Sequence, residues 1–238
     1  MSITKLVNCA ALGDWTRDFS QCLFEWQGLE GALFTLLAAG IGVFFLNRQI
    51  KQQDRLHNSA RISRFAVAKA KTPLAAIEIS DHARLYLTEA ERLFPLVHAR
   101  SRERFEFHGP SFPAEAAKIL DALVENSDDA VLIEQVSALY SEQQVMSARL
   151  TSVDRPSEHA LTINDYILQP VMMDAIAMNL LGFGRDGQEM RPLTWDNIEV
   201  RLKSLIANGS VRDQVLKYVL DKKERSRPVP LALMRHDT

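Results

Sequence analysis

Along most of the chain, hydrophobic positions recur with the three-to-four-residue period of an amphipathic helix. The exception is residues 31–47, GALFTLLAAGIGVFFLN, seventeen residues without a charge. At about 1.5 Å per residue a 17-residue helix spans roughly 26 Å, against about 30 Å for a hydrocarbon core. The flanks suit the shortfall: Trp26 stands on one side, and Arg48 and Lys51, which can snorkel, stand on the other. Glu30 falls at the outer edge, where a charge costs far less than at the bilayer centre. The pattern predicts a transmembrane helix over 31–47. A buried core helix is the competing reading of an apolar run this short. A cleaved signal peptide fits poorly: the run starts late, acidic residues precede it, and no small-x-small site follows FFLNRQ.

On the N-terminal side, residues 1–30 form a short arm. Trp15, Phe19, Cys22, Leu23 and Trp26 recur at helical spacing behind a capping Asp14, which predicts an amphipathic helix, read as a collar at the interface. Its polar face, Asp18, Gln21 and Glu25, is not basic, so it has little attraction for anionic lipid. On the other side, residues 48–108 read as juxtamembrane helices, starting with a polar helix whose apolar stripe is Ile50, Leu56, Ile62, Phe65 and Ala66. Pro73 and Pro95 are expected to punctuate this region. Residues 109–226 read as a helical bundle. Its expected starts are Pro113 in a first turn, Ser127 as a cap, Ser157 or Thr162, Thr194 as a cap, and Ser210 with Asp213 as a capping box. Pro170 should interrupt one helix, and Gly182 and Gly184 should stop it. The apolar run 171–183 is too short to span and contains Asp174, so it reads as a core helix, with Met172, Met173 and Met178 as gap-fillers. Residues 227–238 read as a loose tail. No stretch alternates like a strand between hairpin turns. The expected fold is all-α: a single N-terminal transmembrane helix continuing into a cytoplasmic helical bundle.

Charge sets the expected orientation. Lys5 and Arg17 precede the apolar run among Asp14, Asp18, Glu25 and Glu30; Arg48, Lys51, Arg55, Arg61, Arg64, Lys69 and Lys71 follow it, with Asp54 alone against them. The excess of Lys and Arg puts the C-terminal side in the cytoplasm and the arm outside. There Cys9 and Cys22 can pair or stay free; two cysteines are too few for a disulfide scaffold or a cysteine zinc site. A net charge of −2 supplies no field that would draw nucleic acid, and none is expected as a partner.

Catalytic chemistry is hard to find. Six histidines include no HExxH; Glu78 and His82 share a helix face at i, i+4, with Asp81 adjacent, but no second such pair exists. No Walker, G-x-S-x-G or dinucleotide fingerprint occurs, and GFGRDG at 182–187 follows a helix rather than a strand. Asp128 and Asp129 suit a first helical turn, where they complement the dipole. No catalytic residue, cofactor or metal ligand is therefore assigned, and an enzyme is not the expectation. Within the apolar run, Gly31, Thr35, Ala38 and Gly42 are spaced by four, three and four, a strip of small side chains that lets helices pack closely in lipid. That spacing points to a homo-oligomer.

Two resemblances add context. AVAKAKTPLAAI, 66–77, is similar to the phosphoacceptor helix of sensor histidine kinases in Thr72, Pro73, Leu74 and Ile77. Ala68 stands at the place of the phosphorylated histidine and Lys69 at that of its acidic neighbour, so the resemblance excludes that activity. Residues 26–86 resemble uncharacterised single-span bacterial inner-membrane proteins with a basic juxtamembrane helix. The likeness rests on the small-residue-rich span, the RQI exit, and TPLAA and DHA further on. It implies a bacterial inner-membrane location. The functional expectation is a membrane-anchored cytoplasmic interaction or scaffold protein with the lipid bilayer and other proteins as partners. The alternative is a regulatory or signalling subunit without kinase activity of its own.

Overall fold

The structure is a computed structural model that describes residues 18–101, 104–107, 109, 111–153, 155–156 and 162–225, with side chains from residue 31 onward. Among the described residues there are six α-helices and no strand: α1 Asp18–His98, α2 Ala114–Glu125, α3 Ala130–Thr151, α4 Ile163–Arg185, α5 Trp195–Leu205 and α6 Gly209–Arg225. The chain divides into two compact units, residues 1–60 and 61–238. In the first, α1 is helical from Asp18, and every side chain from 31 to 60 is exposed. The expected collar is therefore not separate from the apolar segment: the backbone runs helical through both, because nothing between Asp18 and Asn47 breaks the hydrogen-bond ladder. Asp14, Trp15, Cys9 and the tail 227–238 lie outside the described residues.

The second unit has one core, and it reaches back into residues read from the sequence as juxtamembrane. Ala68, Ala75, Ala76, Ile79, Ala83, Tyr86, Ala90 and Leu93 of α1 are buried. From Ala76 on they recur every three or four residues, and Ala68 and Ala75 fall on the same face. The many alanines leave room for α4 to come close. Helix α4 is hydrophobic nearly all round, and from Tyr166 to Ala177 every residue is buried, as expected for a helix enclosed on all sides rather than one at a surface. Helices α3, α5 and α6 also pack on it. Fully enclosed side chains such as Leu120, Leu132, Leu139, Ile167 and Met172 each contribute roughly 1.5–3 kcal/mol of transfer free energy. The opposite face of α1 keeps Val67, Leu74, Ile77 and Leu85 more than half exposed.

Several local boundaries differ from the sequence pattern. Pro73 and Pro95 lie inside α1, and Pro170 inside α4, without ending either helix. An interior proline costs about 3 kcal/mol; Pro170 is enclosed in the core, Pro73 is half-buried against Gly184, and Pro95 is exposed in the last turn of α1. Beside Pro73, the Thr72 hydroxyl donates to the Ala68 carbonyl at 3.0 Å. Gly182 and Gly184 do not stop α4, which continues to Arg185. A Cβ on Gly184 would sit 2.6 Å from Cδ of Pro73, so this glycine is the point where α1 and α4 touch backbone to ring. The positive φ expected of a stop signal falls instead at Gly187, at 65°. Pro113 precedes rather than opens α2. Helix α3 is capped by Asp129, whose carboxylate accepts from the amides of Val131 and Leu132; Ser127 serves one step earlier, accepting from the Asp129 amide. Thr162 is the residue before α4 but makes no side-chain cap, and Ser157 lies outside the described residues. Thr194 caps α5 in a capping box with Asn197. Asn208, not Ser210, holds the start of α6, accepting from the amides of Ser210 and Val211.

Candidate functional site

The apolar segment is the first place to look. Gly31–Asn47 lies within α1, and its side chains are exposed throughout, Phe34 and Leu36 to about 70%. A soluble surface does not expose so long a run of Leu, Phe and Ile. This stretch is long and apolar enough to cross a membrane; a signal sequence near an N-terminus meets the same test. Gly31, Thr35, Ala38 and Gly42 share one helix face, and no atom lies within 4 Å of a Cβ built on Gly31 or Gly42. The Thr35 hydroxyl donates to the Gly31 carbonyl at 2.7 Å, so the one polar side chain in the strip is already satisfied by its own helix. A shallow apolar groove forms on the other side of the helix around Gly40, lined by Leu33, Leu36, Leu37, Ile41 and Phe44. Arg48 and Lys51 are exposed just past the segment; the side chain of Trp26 lies outside the described residues. The second apolar helix, α4, also meets length and hydropathy criteria for a span, but most of it is buried in the core.

The bundle holds a buried polar centre. Asp174 on α4 is completely buried; Ser80 on α1 donates to its Oδ1 at 2.6 Å, and Arg201 on α5 donates through Nε to its Oδ2 at 2.5 Å. A second guanidinium nitrogen of Arg201 reaches the same carboxylate. Three helices thus meet on one carboxylate. Removing a partner from a buried charge is costly, which gives this contact its weight in fixing how the helices pack. One layer away, Gln135 on α3 donates to the Arg191 carbonyl, and Asn179 on α4 donates to Gln135 at 3.2 Å.

Burial shifts two further groups toward their neutral forms. His82 lies edge-on to Tyr86 and Phe112, with ring centroids 4.8 and 5.5 Å away, and its Nε2 has no partner among the described residues. Burial lowers its pKa from the ordinary imidazole value to about 4. The imidazole of the Glu78–His82 pair faces aromatic rings, and among the described residues no group of three His, Cys, Asp or Glu is placed to hold a metal. Glu142 on α3 is buried beside Gln169 on α4, and neither the Glu142 Oε2 nor the Gln169 Oε1 has a partner among the described residues. Burial pushes the Glu142 carboxyl up to about 7, with the Gln169 hydrogen bond and the charge of Arg149 pulling the other way and that of Asp165 adding to the rise.

In residues 66–77, Ala68 and Thr72 face the core, and the Lys69 ammonium sits 4.0 Å from the Phe183 ring centroid. Thr72, Pro73 and Leu74 belong to an uninterrupted helix that packs on α4. Sequence reasoning marked Asp174 but not Ser80, Arg201 or Glu142. The available signal was weak: a lone charge in an apolar run requires a partner, yet does not say where along the chain it lies. No protein-family model matches the chain, and neither a curated protein nor a solved structure matches it.

Proposed function

We propose that the protein is a membrane-anchored interaction or scaffold protein of the bacterial inner membrane, with its N-terminal arm outside and its helical bundle in the cytoplasm. The observation that carries this reading is the contrast within one chain. The described residues from 61 to 225 bury most of their apolar side chains in a core, while Gly31–Asn47 leaves every apolar side chain uncovered. Leaving that much apolar surface in water is unfavourable by about 25 cal/mol for each Å², and a hydrocarbon environment removes the penalty. The Lys and Arg excess after the segment supports the orientation. The exposed Val67, Leu74, Ile77 and Leu85 on α1 support a role in binding other proteins, a second copy included. Carbonate washing of membranes should leave the protein in the pellet, and a phosphatase reporter active only outside the cytoplasm should be silent when fused after Thr238. Release into the wash, or an active reporter, overturns the anchoring or the orientation respectively.

A further inference from the structure

Arg48, Lys51 and Arg55 follow the apolar segment at spacings of three and four. On an unbroken helix of 3.6 residues per turn, these positions fall within about 60° of one another. The helix is unbroken there, since α1 runs through to His98. All three side chains are exposed, and none has an ion pair or a side-chain hydrogen bond among the described residues. Asp54, the acid nearest in sequence, pairs with none of them. Elsewhere on the protein many cations are matched: Arg61 with Asp128, Arg92 with Glu89, Lys203 with Glu199, Lys223 with Asp196. The exit stripe is thus a set of solvated cations on one face with no ion-pair partner among the described residues.

Height decides what can meet it. At about 1.5 Å per residue, Arg48, Lys51 and Arg55 lie roughly 1.5, 6 and 12 Å beyond Asn47 along the helix. The polar layer of one leaflet is about 5–8 Å thick. Cα–Cβ bonds in a helix tilt toward its N-terminus, which here is the side of the apolar segment. The long Lys and Arg side chains therefore lean back into or just above the headgroup layer, within a Debye length of about 8 Å. The opposite edge of the segment carries Glu25 and Glu30 instead.

We infer that the Arg48–Lys51–Arg55 face is a docking stripe for anionic phospholipid headgroups of the leaflet from which α1 emerges. The inference rests on the membrane-anchored reading above and adds the lipid class and the residues that select it. A juxtamembrane cation near a negatively charged surface strengthens attraction roughly fivefold, so three together are worth about 100-fold.

The test uses the full chain purified in detergent and titrated with phosphatidylglycerol or phosphatidylcholine, with bound lipid read by native mass spectrometry. Wild type should prefer phosphatidylglycerol by tenfold or more. The triple change Arg48→Gln, Lys51→Gln, Arg55→Gln should reduce the preference to about one. A charge-matched control on α6, Lys217→Gln, Lys222→Gln, Arg225→Gln, should keep it. Equal binding of the two lipids by wild type, an equal loss in the control, or displacement of the bound lipid by millimolar inorganic phosphate each overturns the inference. Carbonate washing of the same wild-type protein separates the two readings. A protein retained in membranes but without lipid preference sinks only the stripe. A protein released sinks the anchoring, and the stripe with it.

Discussion

His82 and Glu142 should make stability depend on pH in opposite directions. The imidazole has an ordinary pKa of 6.5 and a folded one of about 4. Above pH 6.5 it is neutral folded or unfolded, and its burial costs nothing extra. As pH falls from 6.5 to 4 the unfolded chain takes up a proton that the folded chain refuses, so stability drops by about 1.4 kcal/mol per pH unit, on the order of 3 kcal/mol in all. The carboxyl behaves as the mirror image, with an ordinary pKa of 4.5 and a folded one of about 7. Its contribution is whole below pH 4.5 and is lost as pH rises to 7, again on the order of 3 kcal/mol. Between pH 4.5 and 6.5 the two slopes cancel, and the wild-type protein hides both.

Single substitutions unmask them. Glu142→Gln keeps the shape and removes the titration; its stability relative to wild type should be constant below pH 4.5 and rise by about 3 kcal/mol by pH 7. His82→Leu should gain by a similar amount relative to wild type as pH falls from 6.5 to 4, on top of any constant packing change. Trp195 is buried at the start of α5 and reports unfolding of the bundle in a Trp15→Phe, Trp26→Phe background. Urea titrations of the detergent-solubilised full chain, followed by Trp195 fluorescence from pH 4 to 8, give the difference curves directly. A difference from wild type that stays flat across the range for either variant would refute the account of that residue: the group would then be hydrated or paired in the folded state.

The contact between Pro73 and Gly184 should tolerate no side chain. Gly184→Ala should destabilise by about 1–3 kcal/mol in the same urea assay, and adding Pro73→Ala should restore part of the loss; an unchanged midpoint would show that α1 and α4 can separate there at no cost. At the buried centre, Asp174→Ala should cost roughly 3–5 kcal/mol, because Arg201 and Ser80 lose their shared acceptor, whereas Asp174→Leu with Arg201→Leu should cost much less. Equal losses in the single and double variants would mean that packing, not the orphaned charge, sets the penalty.

What the sequence disclosed depended on how local each cause was. Thr194 and Asn197 form their cap within one turn, so the three-residue spacing was enough to find it. The apolar run 31–47 was legible because absence of charge needs no partner to be read. The three interior prolines were not: each is a strong local stop, yet the core encloses Pro170 and Gly184 receives the ring of Pro73, contacts set by residues far along the chain, while Pro95 lies exposed in the last turn of α1. Gly184 carried the opposite ambiguity. Its lack of a side chain is used for close approach to Pro73 rather than for a left-handed turn, and only the arrival of α1 distinguishes the two uses.

The buried polar groups follow the same division. Asp174 announced itself as a charge within an apolar run, and the inference that it lies in a core rather than in a bilayer holds because that core supplies Ser80 and Arg201. Neither partner looks unusual alone: Ser80 is a small residue on a helix face, and Arg201 sits in an ordinary amphipathic helix. Glu142 was hidden more deeply. On α3 it falls in the polar run SEQQ, and nothing nearby in the sequence says that α4 will cover it. His82 drew notice only for its spacing to Glu78, while the aromatic rings that enclose it come from Tyr86 and from Phe112 beyond α1. A buried titratable group is defined by what closes over it, so its neutrality, and the paired pH response that follows, can be read only once α3, α4 and the segment before α2 are in place.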